Sequence, residues 1–363
     1  MGRWPTGLLL GALLLASRGA VAGPGLPECP EGHRAETVRQ GFWFLADDRD
    51  NPAIQPVMAR ELARRMACTG VPRPVLLHGG DTYTHGWLRP NETERHAILR
   101  AWQPLREVPG LRWLLAPGNH EGTEGARLLA RELDAPTRWP HALAEGRLRY
   151  LLLDTEDRHL VNGGVGGQAA WLQDQLRQAA AGEQLPVVVL HRPPATLSCG
   201  PHRDDAELRR WDRGLRALLG AAGEGRGGLL LGAHDHVYSR GLFLPGWSGA
   251  VVGIGGAPLG IRQSCPGLAR VVAPTRLERQ ALYAGTLDPR RVYGFLECLV
   301  DDNSLECKAI LLSREVVDQF RVPLPVPGAP AGAARGATPG ATPGAPSGAP
   351  ADPAPAPPRA APP

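Results

Sequence analysis

Lysine is almost missing from this chain. Lys308 is its sole example, so the remaining basic residues are all arginine. Together with the abundance of Ala, Gly and Pro, that bias reads as a GC-rich coding sequence rather than a functional choice. Excess charge of one sign is missing too. Forty basic residues face 36 acidic ones, a formal net charge of +4, which is too balanced for a dedicated nucleic-acid binder. No apolar run reaches the ~20 residues needed to span a bilayer, so no membrane span is expected. The chain has no Cys-x-x-Cys, which excludes the common zinc-cluster spacing. No nucleophilic Ser or Cys motif offers a covalent mechanism.

Several features are present instead. Arg3, the apolar stretch Leu8–Ala16 and the small residues Ala20-Val21-Ala22 read as an export signal over residues 1–22, with Gly23 as the mature start. Its removal takes Arg3 and Arg18 and leaves 38 basic against 36 acidic residues. The mature protein is expected to be secreted or periplasmic. Its six cysteines are Cys29, Cys68, Cys199, Cys265, Cys298 and Cys307. An even number in an exported chain favours disulfides. Cys298 and Cys307 flank the turn Asp301-Asp302-Asn303-Ser304, so a hairpin would bring them together. Six cysteines allow fifteen pairings, and Cys29–Cys68 with Cys199–Cys265 rests on elimination only, so the pairing stays open.

Residues 23–322 read as one α/β domain. Strand-like apolar runs alternate with amphipathic helices over Pro52–Met66, Gln168–Ala179 and Asp204–Leu219, a pattern of βαβ units. Ala250–Leu312 is richer in strands. A sandwich of two β-sheets flanked by helices fits both halves. Residues 323–363 are Pro/Ala/Gly-rich, with the tandem repeat Gly336–Pro339 and Gly340–Pro343. Such a tail cannot bury a core and is expected to be disordered.

The chemistry lies where apolar runs stop. Asp47 follows Phe42–Ala46, and Gly80-Asp81 closely follows Pro74–Leu77. Gly118-Asn119-His120-Glu121 follows Leu111–Leu115. His191 follows Val187–Leu190, and His234-x-His236 follows Leu229–Leu231. Short apolar runs of this kind are buried strands, and ligand sites in α/β sheets form beyond strand carboxyl ends. Asp, Asn and His supply oxygen and imidazole donors suited to hard or borderline divalent ions and to iron.

The order Asp, Gly-Asp, Gly-Asn-His-Glu, His, His-x-His resembles the calcineurin-like metallophosphoesterases. The later half is similar to the purple acid phosphatase branch. His191-Arg192-Pro193-Pro194 resembles its His-His-Pro-Pro loop, Ser198-Cys199-Gly200-Pro201-His202 its Ser-x-Gly-x-His, and Gly232–Arg240 its Gly-His-x-His-x-Tyr-x-Arg. The likeness covers roughly residues 40–260 and implies a two-sheet sandwich flanked by helices. It also implies two divalent or mixed-valence metal ions (Mn, Zn or Fe) and a small phosphate-ester substrate. Metal-bound hydroxide would carry out the attack.

The same resemblance assigns Asp47 and His236 to the first metal, Asn119, His191 and His234 to the second, and Asp81 to the bridge between them. His120 would sit over the phosphate and assist the leaving group, a role suited to a side chain whose unperturbed pKa lies near neutrality. His202 would contact substrate phosphate. Glu121 would orient a neighbouring histidine, Tyr238 and Arg240 would support the site, and His78 would pack behind the metals.

Three positions depart from the pattern. The first motif is Asp-x-His in the wider family and Asp-x-Gly in purple acid phosphatases, but here it is Asp47-Asp48-Arg49-Asp50. Asp47 is the preferred ligand because Ala46 matches the small residue that precedes it. A register shift would make Asp48 and Asp50 the ligands instead. The tyrosine that ligates ferric iron in purple acid phosphatases is replaced by Thr84, with Tyr83 one residue early. Ala233 stands where the family has glycine. A non-catalytic binding protein on a decayed phosphatase scaffold is therefore the alternative to an enzyme, and monoester and diester substrates both stay open.

Overall fold

A computed structural model describes residue 29 and residues 38–84, 92–156, 168–200, 206–222, 227–261 and 265–326. The expected signal segment, most of the expected tail and His202 lie outside them.

Strands β1 (Gly41–Leu45), β2 (Val75–His78) and β3 (Arg112–Leu115) run parallel. They form one half of a six-stranded sheet. Its other half is an antiparallel meander of β11 (Gly294–Val300), β12 (Ser304–Leu311) and β13 (Val316–Pro323), and the sheet order is β13-β12-β11-β1-β2-β3. The second sheet has seven strands in the order β10-β8-β9-β7-β6-β5-β4. Its strands are β4 (His141–Glu145), β5 (Leu148–Leu152), β6 (Leu185–Val189), β7 (Gly228–Gly232), β8 (Tyr238–Leu244), β9 (Trp247–Val252) and β10 (Leu268–Val272). Within it β5, β6, β7 and β9 are parallel. Parallel strands covered on both faces need apolar side chains on both. That is why GFWFL, VLLH, LPVVV and GLLLG show no alternation and are buried throughout.

The sheets pack face to face. Phe42 of β1 meets Tyr150 of β5 edge-on, with ring centroids 5.7 Å apart. Helix α1 (Gln55–Thr69) covers the outer face of the first sheet, and Gly70, at φ 64°, ends it in the left-handed conformation. Beneath it, the Trp43 indole donates to Glu297 Oε2 at 3.1 Å, and Arg65 Nη1 lies 3.1 Å from Glu297 Oε1. Helices α2 (Glu92–Ala101), α3 (Gln103–Arg106) and α4 (Gly122–Glu132) lie between β2 and β4 in the chain. Leu172 and Leu176 of α5 (Gln168–Ala181), with Leu215 and Leu219 of α6 (Ala206–Ala222), join Leu151, Val188 and Leu230 in a second core on the far side of the seven-stranded sheet. The last helix is α7 (Arg276–Tyr283).

The expected sandwich and strand-rich second half are thus present, and the strands begin and end within about two residues of the apolar runs. Helix α4 went unnoticed in the sequence. Its apolar residues Ala126, Leu129 and Ala130, with Leu133 just beyond its end, fall on one buried stripe. All three expected disulfides form. Cys298 and Cys307 are directly opposed on β11 and β12, with Cα atoms 4.1 Å apart. Cys29–Cys68 and Cys199–Cys265 bridge at Cα separations of 5.4 and 5.7 Å. No helix among the described residues is long and apolar enough to cross a membrane.

Candidate metal centre

Five strand ends converge at one rim of the sandwich. Asp47 after β1, Asp81 after β2 and His234 after β7 all take left-handed backbone conformations, with φ of 53°, 61° and 69°. Asp and His tolerate that region better than most residues. There the chain breaks out of the strand and its side chain swings into the gap between the sheets. Gly80 and Gly118 allow two of these loops to touch backbone to backbone. A Cβ on Gly118 would lie 2.3 Å from Asp81 N, and one on Gly80 would lie 2.5 Å from Gly118 N. Ala233, where the resembled family has glycine, has no positive φ because His234 carries the left-handed turn.

Two overlapping groups of donors result, sharing Asp81. One is Asp81, His191 and His234, and the other is Asp47, Asp81 and His236. Asn119 joins the former, its Oδ1 3.0 Å from His191 Nε2. His191 Nε2 is also 3.2 Å from His234 Nδ1 and 3.4 Å from Asp81 Oδ1. His191 Nδ1 donates to Gly79 O at 2.8 Å. A carbonyl oxygen only accepts, so Nδ1 carries the proton and Nε2 presents a lone pair. A histidine oriented through its other nitrogen and aimed at carboxylate and amide oxygens is the arrangement that metal ligands adopt. These four side chains fit a divalent cation.

In the other group, His236 Nδ1 donates to Pro258 O at 2.7 Å, so its Nε2 lone pair faces Asp47 Oδ1 at 3.6 Å. Asp47 Oδ1 is buried with no hydrogen-bond partner among the described residues. Two acceptors facing each other require a proton or a positive charge between them. Here, however, a charge is already built in: Arg49 Nε lies 3.4 Å from Asp81 Oδ2. The donors suit a metal, but the resident guanidinium does not.

Burial, reinforced by the Asp81 charge, pushes the Asp47 carboxyl well above the usual range. Burial also acts on Asp81, but the neighbouring His191 and His120 rings and the His120 amide outweigh it and hold that carboxyl low. Burial drives His236 down to about 4, which keeps it neutral, the form that can ligate.

The neighbouring residues fall into place around this centre. His120 N donates to Asp81 Oδ1 at 2.9 Å, and His120 Nδ1 donates to Thr84 O at 2.8 Å. The ring's Nε2 is then 3.8 Å from Asp81 Oδ2. Asp48 points away from the centre. Its carboxylate accepts from His78 Nε2 and from the Trp102 indole, each at 3.2 Å. Asp50 pairs with Arg49. The geometry therefore gathers Asp47, and not Asp48 or Asp50, into a donor group. His78 is packed behind the site as expected, and its Nδ1 accepts from Gly80 N at 3.1 Å.

Glu121 differs from expectation. It orients no histidine but accepts from the amides of Asp81 (2.9 Å), Thr82 (3.2 Å) and Gly118 (2.9 Å), which clamps the two loops together. Tyr238 and Arg240 reach Asp318 of β13 at 2.7 and 2.6 Å, tying one sheet to the other. Tyr83 is buried in the core. Glu121's amide clamp and the Arg49–Asp81 pair are what reading the sequence missed, because neither follows from spacing.

A family model described as calcineurin-like phosphoesterase matches residues 60–238. No curated protein matches the chain. Among solved structures, the chain is similar to the GAP50 anchor of the Plasmodium inner membrane complex, with 15% identity, TM-score 0.52, and coverage of 79% of this chain and 89% of that one. It is also similar to a dimetal phosphatase from Danio rerio, with 13% identity, TM-score 0.51, and coverage of 79% and 99%. A third similar structure is PhoD, with 12% identity, TM-score 0.50, and coverage of 78% and 69%. At such identities the structural likeness speaks to fold alone. The family match over residues 60–238 and the two-sheet architecture with helices on its faces support the calcineurin-like phosphoesterase superfamily.

Proposed function

We propose that this chain is an exported, metal-dependent phosphoric ester hydrolase, nearest in type to the purple acid phosphatases. Residues 23–322 would be its catalytic unit and residues 323–363 an appended tail. The observation that carries the reading is the convergence of Asp81, Asn119, His191 and His234, with His120 hydrogen-bonded to the same Asp81 carboxylate.

A metal ion held by those four side chains supplies Lewis acidity at a phosphoryl oxygen and lowers the pKa of water. The protein's own contributions are positional. Asp81 is held by the His120 amide on one side, so its carboxylate stays ionised as a ligand. The Glu121 clamp fixes the distance between the Asp81 and Asn119 loops. His120 commits its Nδ1 proton to Thr84 O, so the proton given to the departing alcohol travels on Nε2, the nitrogen on the Asp81 side. His202 and its contact with substrate phosphate belong to this proposal, and Asp47 with His236 is the donor pair that a second ion would use.

Arg49 favours a second reading, a non-catalytic binding protein, because it brings a fixed positive charge to the rim where the resembled family places His or Gly. Hydrolysis separates the two. The full chain is assayed with an aryl phosphate monoester and a diaryl diester in manganese, zinc and iron separately, beside Asp81→Ala. Metal-dependent turnover that Asp81→Ala abolishes is expected. Turnover on neither ester, from protein shown to hold metal, would leave the binding protein as the answer.

A further inference from the structure

Arg49 has no place in a two-metal centre, yet it is mostly buried inside this one, its side chain only 13% exposed. Building on the metal-dependent reading, we propose that the Arg49 guanidinium stands in for the first cation, so that the centre holds a single metal ion on Asp81, Asn119, His191 and His234.

Four observations support this. Arg49 is anchored at three points: its amide donates to Asp81 O at 3.3 Å, its Nε pairs with Asp81 Oδ2 at 3.4 Å, and its Nη1 pairs with Asp50. The carboxylate meant to bridge is therefore divided. Asp81 Oδ1 faces His191 and the His120 amide, while Oδ2 faces Arg49. Asp47 has work besides ligation, since its Oδ2 accepts from His234 N at 2.9 Å and its carbonyl accepts from Ala257 N at 2.7 Å. Its retention is thus explained without a first metal. Finally, Asp81 is the donor that the two groups share, and the Arg49 guanidinium already lies against its Oδ2. A fixed cation at that shared carboxylate repels a divalent ion placed beside it. Arginine has no lone pair to ligate with and does not deprotonate in proteins, so the repulsion cannot be relieved by titration.

The test is a count of metal ions rather than turnover. The full chain is loaded with manganese, desalted and assayed for metal content, and its paramagnetic resonance spectrum is recorded. One manganese per chain with the spectrum of an isolated ion is expected. Arg49→Gly, which restores the glycine of the resembled motif, is expected to take up two ions with a spin-coupled spectrum, and Arg49→Lys to stay at one. Two ions in the wild type would overturn the inference and leave the phosphoesterase reading intact. One ion in a folded Arg49→Gly would overturn it as well. No metal in any form would overturn the metal centre itself, and with it both this inference and the metal-dependent hydrolase reading. The wild-type count stands even if a variant does not fold.

Discussion

Gly118 offers the sharpest check on how this centre is built. Alanine there places a Cβ 2.3 Å from Asp81 N and 2.4 Å from Asp81 Oδ1, where real Cβ atoms do not come within 3.0 Å. The obstacle is backbone and a pinned carboxylate, not the loose end of a side chain. One loop must therefore retreat by roughly 0.7 Å, the shortfall from that limit. Retreat stretches the Glu121 bonds to Gly118 N and Asp81 N, both 2.9 Å, and carries Asn119 away from His191. Overpacking a closed site costs about 1–3 kcal/mol. At the middle of that range the melting temperature of a domain of about 300 residues falls by roughly 3 °C. Displaced supporting bonds around metal ligands cost about 10–100-fold in affinity.

Calorimetry and metal titration of Gly118→Ala measure both effects. Gly220→Ala is the control: it lies in α6 with nothing within 4 Å of the added carbon, and replacing a helical glycine stabilises by about 0.5–1 kcal/mol. If Gly118→Ala melts within a degree of wild type and binds metal within twofold, the two loops are not in the contact described and the reasoning fails.

Two further predictions follow from the same surroundings. Asp48→Ala removes the acceptor for both His78 and Trp102, which should cost about 3 kcal/mol as for other broken buried pairs, while metal content stays unchanged. Loss of metal in Asp48→Ala, with metal retained in Asp47→Ala, would show that the register is the other one. In metal-free protein the Glu121 carboxyl is pushed up to about 8, by burial first and then by the Asp81 charge. The folded state therefore holds a proton that the unfolded chain releases near 4.5. The stability this contributes is full below about 4.5 and lost as pH rises through about 8. Glu121→Gln should flatten that decline in denaturant titrations, and an unchanged pH slope would count against it.

Much of the centre was legible because the signal is local. A parallel strand buried on both faces must be apolar at every position, so the first polar residue beyond it marks a strand end. Asp47, Asn119, His191 and His234 announce themselves in that way, and Asp81 follows three residues after His78, all in a fixed order. The Cys298–Cys307 bridge was equally local, since a turn of four residues lies between two facing strands. Cys29–Cys68 and Cys199–Cys265, separated by 39 and 66 residues, came only from elimination.

Other features were not legible. Choosing between Asp47 and Asp48 turns on which side of the chain faces the gap, and neighbouring side chains point opposite ways. The choice is made by Trp102, 54 residues further on, which holds Asp48 behind the site. Glu121 follows the histidine as a motif letter, but its role depends on three amides from two loops. The sequence by itself determined the kinds of donor, their order and the strands that present them, because each is written in a few consecutive residues. Only the tertiary structure decided which lone pairs face one another and that Arg49 lies against Asp81, because charge acts across space between segments far apart in the chain.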